Sequence, residues 1–325
     1  MRRQNRQHCY DSLDTMWLAA LSELFTTGQP VRSRDGEVAC EILAASYQLD
    51  DLEATFLVNP VRKARTWYAM AELLWYLRGE QDITMIKAYA PQYERFANDG
   101  KALGSYGDRL ANDPMFLEAG YDSDCTQLHA IVNLLRAKPD TRQAVVGLWR
   151  ADDLTRALDG TTNDIPCTMS WQFIMRDDTL HMVATMRSQD IWLGMPYDVF
   201  VNTCMQRLIA DELRCGYGSY THHVGSLHLY DRDVMGAIQA AKWSPSGDDL
   251  SLGWTVPLHN AFNGIPDAIQ AEQCARVEIG PMVLPDWVNP VLRDAAMICA
   301  SRWIPVPPAE VSSYLLRRLC FDDHR

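Results

Sequence analysis

The sequence lacks the features that define several protein classes. It has no apolar run near the roughly 20 residues of a membrane span, and its first residues, MRRQNRQHCYDS, contain no apolar segment of signal-peptide length. None of its nine cysteines forms a CxxC pair, which disfavours a zinc site or a thioredoxin-like motif. We therefore expect a cytoplasmic protein with reduced cysteines, no bound metal and no membrane partner.

Positive charge is also scarce. The 325-residue chain has 30 Lys and Arg residues against 42 Asp and Glu residues, which gives a formal net charge of −12. A general nucleic-acid surface needs a basic face, so we expect no nucleic-acid partner. The same balance permits one small anionic ligand that is bound by a few arginines.

Neither an internal repeat nor a low-complexity linker divides the chain, so we predict one α+β domain over residues 1–325. Apolar periodicity predicts helices over residues 12–27, 67–77 and 196–215, and we expect Gly216 to cap the last of these. From Trp243 onward, prolines and short apolar runs predict peripheral strands and loops.

The most informative stretch is PCTMSWQFIMRDDTLHMVATMRSQDIWLGMPYD, residues 166–198. It contains Cys167 after a proline, the pair Arg187 and Ser188 on the next extended run, and Asp198 at the start of a helix. A thiolate can attack a pyrimidine, a guanidinium suits phosphate oxygens and favours the thiolate, and a carboxylate can bind a base edge. Taken singly, these residues are more often a structural cysteine, a surface or ion-pair arginine and a helix cap.

Three further polar residues stand out. Glu72 is the only acid in the apolar segment WYAMAELLWYLRG, where an unpaired buried carboxylate would cost free energy. A functional role and a structural ion pair are both open for it. His228 and Tyr230 share one face of a predicted strand, because side chains repeat every two residues. They fit either a ligand-binding pair or a hydrogen-bonded core pair.

Together these residues resemble the thymidylate synthase family. The matching segments are AELLWYLRG, LGSYGDR, DTRQAVVGLWR, IPCTMSWQF, MRSQDIWLGMPYD and VGSLHLY, in the family's order over roughly residues 10–235. Residues 240–325 match only weakly. The resemblance implies a large mixed β-sheet with flanking helices, an obligate homodimer whose sheets pack back to back, and 5,10-methylenetetrahydrofolate as cosubstrate.

The resemblance also implies roles by position. Cys167 would be the nucleophile, and Glu72 the general acid/base that acts through water. The other implied site residues are the phosphate ligands Arg34, Arg187 and Ser188, Arg142 lent by the other subunit, the site tyrosine Tyr106, Gln172 beside the nucleophile, Asp190 on the folate side, Gly194 beside the base, and His228 and Tyr230 at the sugar 3′-hydroxyl.

Departures from the family pattern bear on the substrate. Asp198 stands where synthases have asparagine and where deoxycytidylate hydroxymethylases have aspartate. Asparagine matches uracil, whereas a carboxylate accepts from the N4 amino group of cytosine and from a protonated N3. Thr168 replaces a histidine near the O4 edge. Tyr93 and Phe96 replace two tryptophans in a lid-like segment on the folate side, and a smaller Tyr93 would admit water to the one-carbon adduct.

The sequence therefore predicts 5-hydroxymethylation of a cytosine mononucleotide. We expect dCMP rather than CMP, because Ser188 is retained as in the deoxynucleotide enzymes. The alternatives are a dCMP 5-methyltransferase, a thymidylate synthase acting on dUMP, and a catalytically silent nucleotide-binding relative. Retention of Cys167, Glu72 and Arg187 disfavours the last of these.

Overall fold

A mixed β-sheet with helices packed against it organises the molecule. The computed structural model describes residues 8–33, 36–113, 126–245, 250–254, 261–277 and 284–322. The strands are β1 (His8–Tyr10), β2 (Gln29–Arg32), β3 (Val38–Leu49), β4 (Val145–Gly147), β5 (Thr168–Arg176), β6 (Thr179–Met186), β7 (Gln189–Asp190) and β8 (Gly216–Tyr230). The helices are α1 (Leu13–Thr27), α2 (Thr66–Arg78), α3 (Thr84–Tyr89), α4 (Tyr106–Ala111), α5 (Gln127–Ala137), α6 (Ala151–Asp159), α7 (Met195–Leu213), α8 (Val234–Ala240), α9 (Ile265–Arg276), α10 (Pro290–Ala300) and α11 (Tyr314–Arg317).

The strand order confirms the predicted mixed sheet. It runs β1-β3-β8-β6-β5-β4, with β2 paired to β3 and β7 paired to β8. β3 and β8 are antiparallel, whereas β6 and the short β7 both run parallel to β8. The last pairing matters for function, because it places Gln189 and Asp190 beside Leu227 and His228.

The two faces of the sheet differ in burial. On β6, Leu180, Met182, Ala184 and Met186 are buried, while the alternating side chains between them are partly exposed. Such alternation is expected when helices cover one face only. Helices α1 and α7 pack on the sheet through β3, β6 and β8.

Helices α2 and α7 form the core behind the site and confirm two of the predicted helices. α2 ends at Gly79, whose φ of 70° lies in the left-handed region that favours glycine. α7 is buried along most of its length, since it lies between the sheet and α2. None of the helices in the described ranges combines the length and apolar character needed to cross a membrane.

Two local predictions were wrong. Arg214, with a φ of 60°, takes the left-handed position after α7, and Gly216 instead begins β8. The described residues beyond Trp243 contain α9, α10 and α11 and no strand. Prolines at residues 266 and 290 lie in the first turns of α9 and α10, where proline is tolerated because those N–H groups have no helical partner. α10 packs against α2.

Candidate active site

Cys167 lies beside Arg187 at the beginning of β5. Nη2 of Arg187 is 3.7 Å from Cys167 Sγ and also donates to the carbonyl oxygen of Ile165 at 2.9 Å. Nε of Arg187 donates to the carbonyl oxygen of Pro166 at 2.8 Å. The guanidinium therefore ties down the loop that carries the cysteine. A cation at this distance favours the thiolate over the thiol.

Tyr106 contacts the backbone beside Cys167 from the first turn of α4. Its hydroxyl oxygen accepts from the backbone N–H of Cys167 at 3.0 Å and from that of Thr168 at 2.8 Å. Burial is the largest cause that raises the pKa of Tyr106, followed by the charges of Cys167 and Asp198. The phenol therefore stays protonated and can offer its own proton toward the site.

Asp198 lies in the first turn of α7 without capping the helix. Gly194 is the N-cap residue, and the cap has no side-chain hydrogen bond. Instead, Oδ2 of Asp198 accepts from Nε2 of Gln189 at 2.8 Å. A Cβ on residue 194 would lie 2.7 Å from that nitrogen and 3.0 Å from Oδ2, so only glycine fits without disturbing the contact. The helix-cap interpretation of Asp198 was wrong.

Glu72 is buried on the face of α2 that meets α7. Oε1 accepts from the Tyr68 hydroxyl at 3.3 Å, while Oε2 is buried without a hydrogen-bond partner in the described part of the chain. Burial, together with the negative charge of Asp198, raises the pKa of Glu72 to about 8, against the lowering effect of Tyr68. Burial also raises the pKa of Asp198 to about 6, against the Gln189 hydrogen bond. A carboxyl group whose pKa lies near 7 can both release and take up a proton at neutral pH.

Replacing Glu72 with glutamine should stabilise the unliganded protein at alkaline pH and change little near pH 5. The unfolded chain releases this proton near the ordinary value of about 4.3, whereas the folded protein keeps it to about 8. The free energy of unfolding therefore falls as pH rises through this window, and the variant lacks that loss. A shift of one pKa unit corresponds to about 1.4 kcal/mol. Above the window, the free energy of unfolding of the variant should therefore exceed that of the wild type by on the order of a few kcal/mol, which a Tm measurement detects.

Glu310→Gln, on an exposed side chain, serves as the control for this measurement. The pH dependence of its Tm difference from the wild type is the baseline for the Glu72→Gln measurement. If Glu72→Gln behaved in the same way, Glu72 would be ionised in the folded protein and the proton-transfer role would lose its basis.

Aromatic rings border the carboxyl groups on the side of the 3₁₀ helix Pro91–Phe96. Tyr93 packs edge-on against Trp75 at 5.2 Å and against Phe96 at 5.9 Å between ring centroids. Burial raises the pKa of Tyr93 well above its usual range, and the charges of Asp164, Glu72 and Asp198 contribute. The Tyr93 hydroxyl therefore interacts electrostatically with these carboxylates.

A second group of predicted residues lies along β7 and the end of β8. Oδ1 of Asp190 accepts from the backbone N–H groups of Trp192 and Leu193 at 2.8 and 2.9 Å, which shapes the turn before α7. The ring centroids of His228 and Tyr230 are 5.0 Å apart, and both residues are partly exposed on one face. These contacts place Asp190 beside the His228–Tyr230 pair, at the edge of the site.

The remaining predicted ligands are less tightly connected to this group. Arg142 has an exposed side chain, and its backbone carbonyl accepts from Nε2 of Gln172 at 3.0 Å. Ser188 is partly buried between Arg187 and β7. Arg34 lies outside the residues that the structure describes.

Sequence reasoning missed three residues that shape the site: Gln189, His222 and Tyr68. Gln189 is the unassigned position inside the RSQD segment, directly between two residues that were assigned. Its position was therefore a signal that could have been used. Tyr68 lies four residues before Glu72 on α2, so the i, i+4 spacing of a helix was a second signal for it. Nothing local to His222 indicates that it contacts the site, since its contact with Gln189 depends on the tertiary structure.

The arrangement suits covalent chemistry on a small planar substrate. A thiol lies beside a guanidinium, and two buried carboxyl groups have raised pKa values. Tyr106 connects the two groups, because the charges of both Cys167 and Asp198 raise its pKa. The described residues contain no cluster of His, Cys, Asp or Glu that could bind a metal ion. Residues 15–252 match the family model described as thymidylate synthase. Because that match spans most of the chain, the protein belongs to the thymidylate synthase family, and so to the one-carbon transferases that use methylenetetrahydrofolate and a pyrimidine nucleotide.

Proposed function

We propose that the protein 5-hydroxymethylates a cytosine mononucleotide, dCMP in preference to CMP, with 5,10-methylenetetrahydrofolate and water. The observation that carries the proposal is the Asp198 carboxyl group, which Nε2 of Gln189 contacts at 2.8 Å. A carboxylate that receives a hydrogen bond from an amide is itself an acceptor, and cytosine offers a donor at N4. Uracil has an acceptor, O4, at the corresponding position, so its O4 would face the Asp198 carboxylate with no donor between them.

The proposed chemistry begins at Cys167. Its thiolate adds to carbon 6 of the base, which makes carbon 5 nucleophilic. Carbon 5 forms a bond to the one-carbon unit of the folate and then loses its proton as tetrahydrofolate leaves. Water adds to the resulting exocyclic methylene, and the Cys167 thiolate is expelled. Glu72 is the group that directs this water, because its raised pKa suits proton transfer at neutral pH.

Tyr93 supports addition of water rather than hydride. Its ring packs on Trp75, and its hydroxyl is near Glu72 and Asp198. A tyrosine covers less area than an indole and can hydrogen-bond to water. We propose that this leaves space for the attacking water beside the one-carbon adduct, with Phe96 and Asp190 on the folate side.

We propose that two copies of the chain associate through the open face of the sheet. Val183 and Thr185 on that face of β6 are partly exposed, and Leu43 on β3 is 69% exposed. An exposed apolar sheet surface is typical of an interface. The exposed side chain of Arg142 could then reach the phosphate site of the other copy, together with Arg187, Ser188 and Arg34 of that copy.

The proposal is tested by incubating the protein with methylenetetrahydrofolate and dCMP, CMP or dUMP, and analysing the nucleotides by mass spectrometry. We expect dCMP to gain a hydroxymethyl group and the folate product to be tetrahydrofolate. A methyl gain with dihydrofolate absorbance would favour a dCMP methyltransferase. Conversion of dUMP alone would show a thymidylate synthase.

A further inference from the structure

A buried chain of side chains lies behind the Asp198 carboxyl group. Gln189 is 2% exposed, and its amide contacts Asp198 on one side and His222 on the other, with Oε1 of Gln189 3.1 Å from Nε2 of His222. His222 is 0% exposed, and its Nδ1 lies 2.8 Å from the Tyr220 hydroxyl. That hydroxyl also accepts from Nδ2 of Asn202 at 3.0 Å.

Each contact in this chain determines the direction of the next. A carboxylate only accepts hydrogen bonds, so Nε2 of Gln189 faces Asp198 and its Oε1 faces His222. Nε2 of His222 must then carry the ring proton, which leaves Nδ1 as an acceptor. Burial lowers the pKa of His222 to about 3, so the ring is neutral and has one donor and one acceptor.

The Tyr220 hydroxyl completes the sequence of donors. It donates to Nδ1 of His222 and accepts from the amide of Asn202. Reversing the amide of Gln189 would place two acceptors against each other at Asp198 and two donors against each other at His222. Because the groups are buried, no solvent would compensate for that loss.

We propose that Gln189 is a specificity-determining positioning residue, oriented by His222 and Tyr220 so that Asp198 is presented to the base as a hydrogen-bond acceptor. The inference deepens the proposed function and rests on it. Gln189 occupies one lone pair of Oδ2 and restricts rotation of the carboxyl group. The lone pairs that remain are directed toward the substrate, where they suit the amino edge of cytosine.

Replacing Gln189 with leucine should lower kcat/KM for dCMP by about 10- to 100-fold, as expected for a hydrogen bond to a charged group. The value for dUMP should stay level or rise, so the dCMP-to-dUMP ratio falls. Gln206→Leu is the matched control, because Gln206 is equally buried and its amide donates to the backbone of Leu180 and Gly218. It should leave the ratio unchanged.

An equal loss for both nucleotides in Gln189→Leu would overturn the proposal, since it would indicate a purely structural role. Should that variant fail to fold, Gln189→Met keeps the side-chain length and is judged by the same ratio. Tyr220→Phe removes one hydroxyl from the far end of the chain and should lower the ratio in the same direction by a smaller factor.

A titration of the unliganded protein separates this inference from the proposed function. The carbon-13 signal of the Asp198 carboxyl group, assigned by its loss in Asp198→Asn, should report a pKa about one unit higher in Gln189→Leu. The other titratable groups that interact with it are unchanged in this variant: Asp190, Glu72, Tyr68, Tyr76, Tyr93, Tyr106 and Tyr220. An unchanged pKa would overturn the role of Gln189 whatever nucleotide the wild type converts. A wild type that converts only dUMP would overturn the proposed function.

Discussion

Cys167→Ser is expected to lose turnover by a factor on the order of 10⁴ to 10⁶, as when a covalent nucleophile is removed from other enzymes. A serine hydroxyl is far less ionised than a thiol at neutral pH, and the Arg187 guanidinium at 3.7 Å from the sulfur cannot make up that difference. The loss should be in kcat, because Arg187, the proposed phosphate ligand, is unchanged in this variant. Steady-state assay of hydroxymethylated product measures it.

A second measurement isolates the covalent step. Thiol addition at carbon 6 should exchange the hydrogen at carbon 5 of dCMP with deuterated water, even without folate. Cys167→Ser should abolish this exchange, whereas Cys274→Ser, at a partly exposed cysteine of α9, should keep it. Exchange that persisted in Cys167→Ser would rule out the covalent mechanism.

Asp198→Asn is expected to reverse the base preference, changing the dCMP-to-dUMP ratio of kcat/KM by roughly 10³- to 10⁵-fold. The asparagine amide presents one donor and one acceptor, which match O4 and N3–H of uracil. Cytosine would then place its N4 donor against the amide donor and leave a buried group unpaired. Nε2 of Gln189 can still donate to the asparagine oxygen, so the local structure should persist.

Asp211→Asn is the matched control for this exchange. Asp211 is a buried aspartate on the same helix, and its oxygens accept from Tyr217 and Asn289 rather than from groups of the site. Its replacement should affect stability and leave the base preference as it is. An unaltered preference in Asp198→Asn would remove Asp198 as the base-binding residue.

The helices show how far local sequence patterns reach. The apolar segment before Gly79 predicts α2 and its end, because a glycine after a buried run satisfies a left-handed cap. The same rule failed at α7, where Arg214 adopts the left-handed conformation and β8 begins at once. The C-terminal segment differs from its prediction, because its prolines at residues 266 and 290 lie in the first turns of α9 and α10 and do not break a helix there.

The candidate site, too, was only partly predictable from local sequence patterns. The contact between Cys167 and Arg187 was predictable, because both lie in a short segment whose residue types suit each other. The interpretation of Asp198 as a base-binding residue also came from the sequence. Its alternative, a helix cap, was excluded by the structure, in which Gly194 is the N-cap residue and Asp198 accepts from Gln189 instead.

The sequence by itself determined the reagents: a thiol, a guanidinium and carboxyl groups in the pattern of a one-carbon transferase. The tertiary structure decided their ionisation and orientation. Glu72 and Asp198 come from separate helices, and their pKa values rise chiefly because packing buries both. The charge of Asp198 adds to the rise for Glu72, and the charge of Asp190 adds to the rise for Asp198. Gln189 and His222 are 33 residues apart in the chain and meet only in the folded protein. Burial and hydrogen-bond direction depend on neighbours that are distant in the chain, and no local pattern records them.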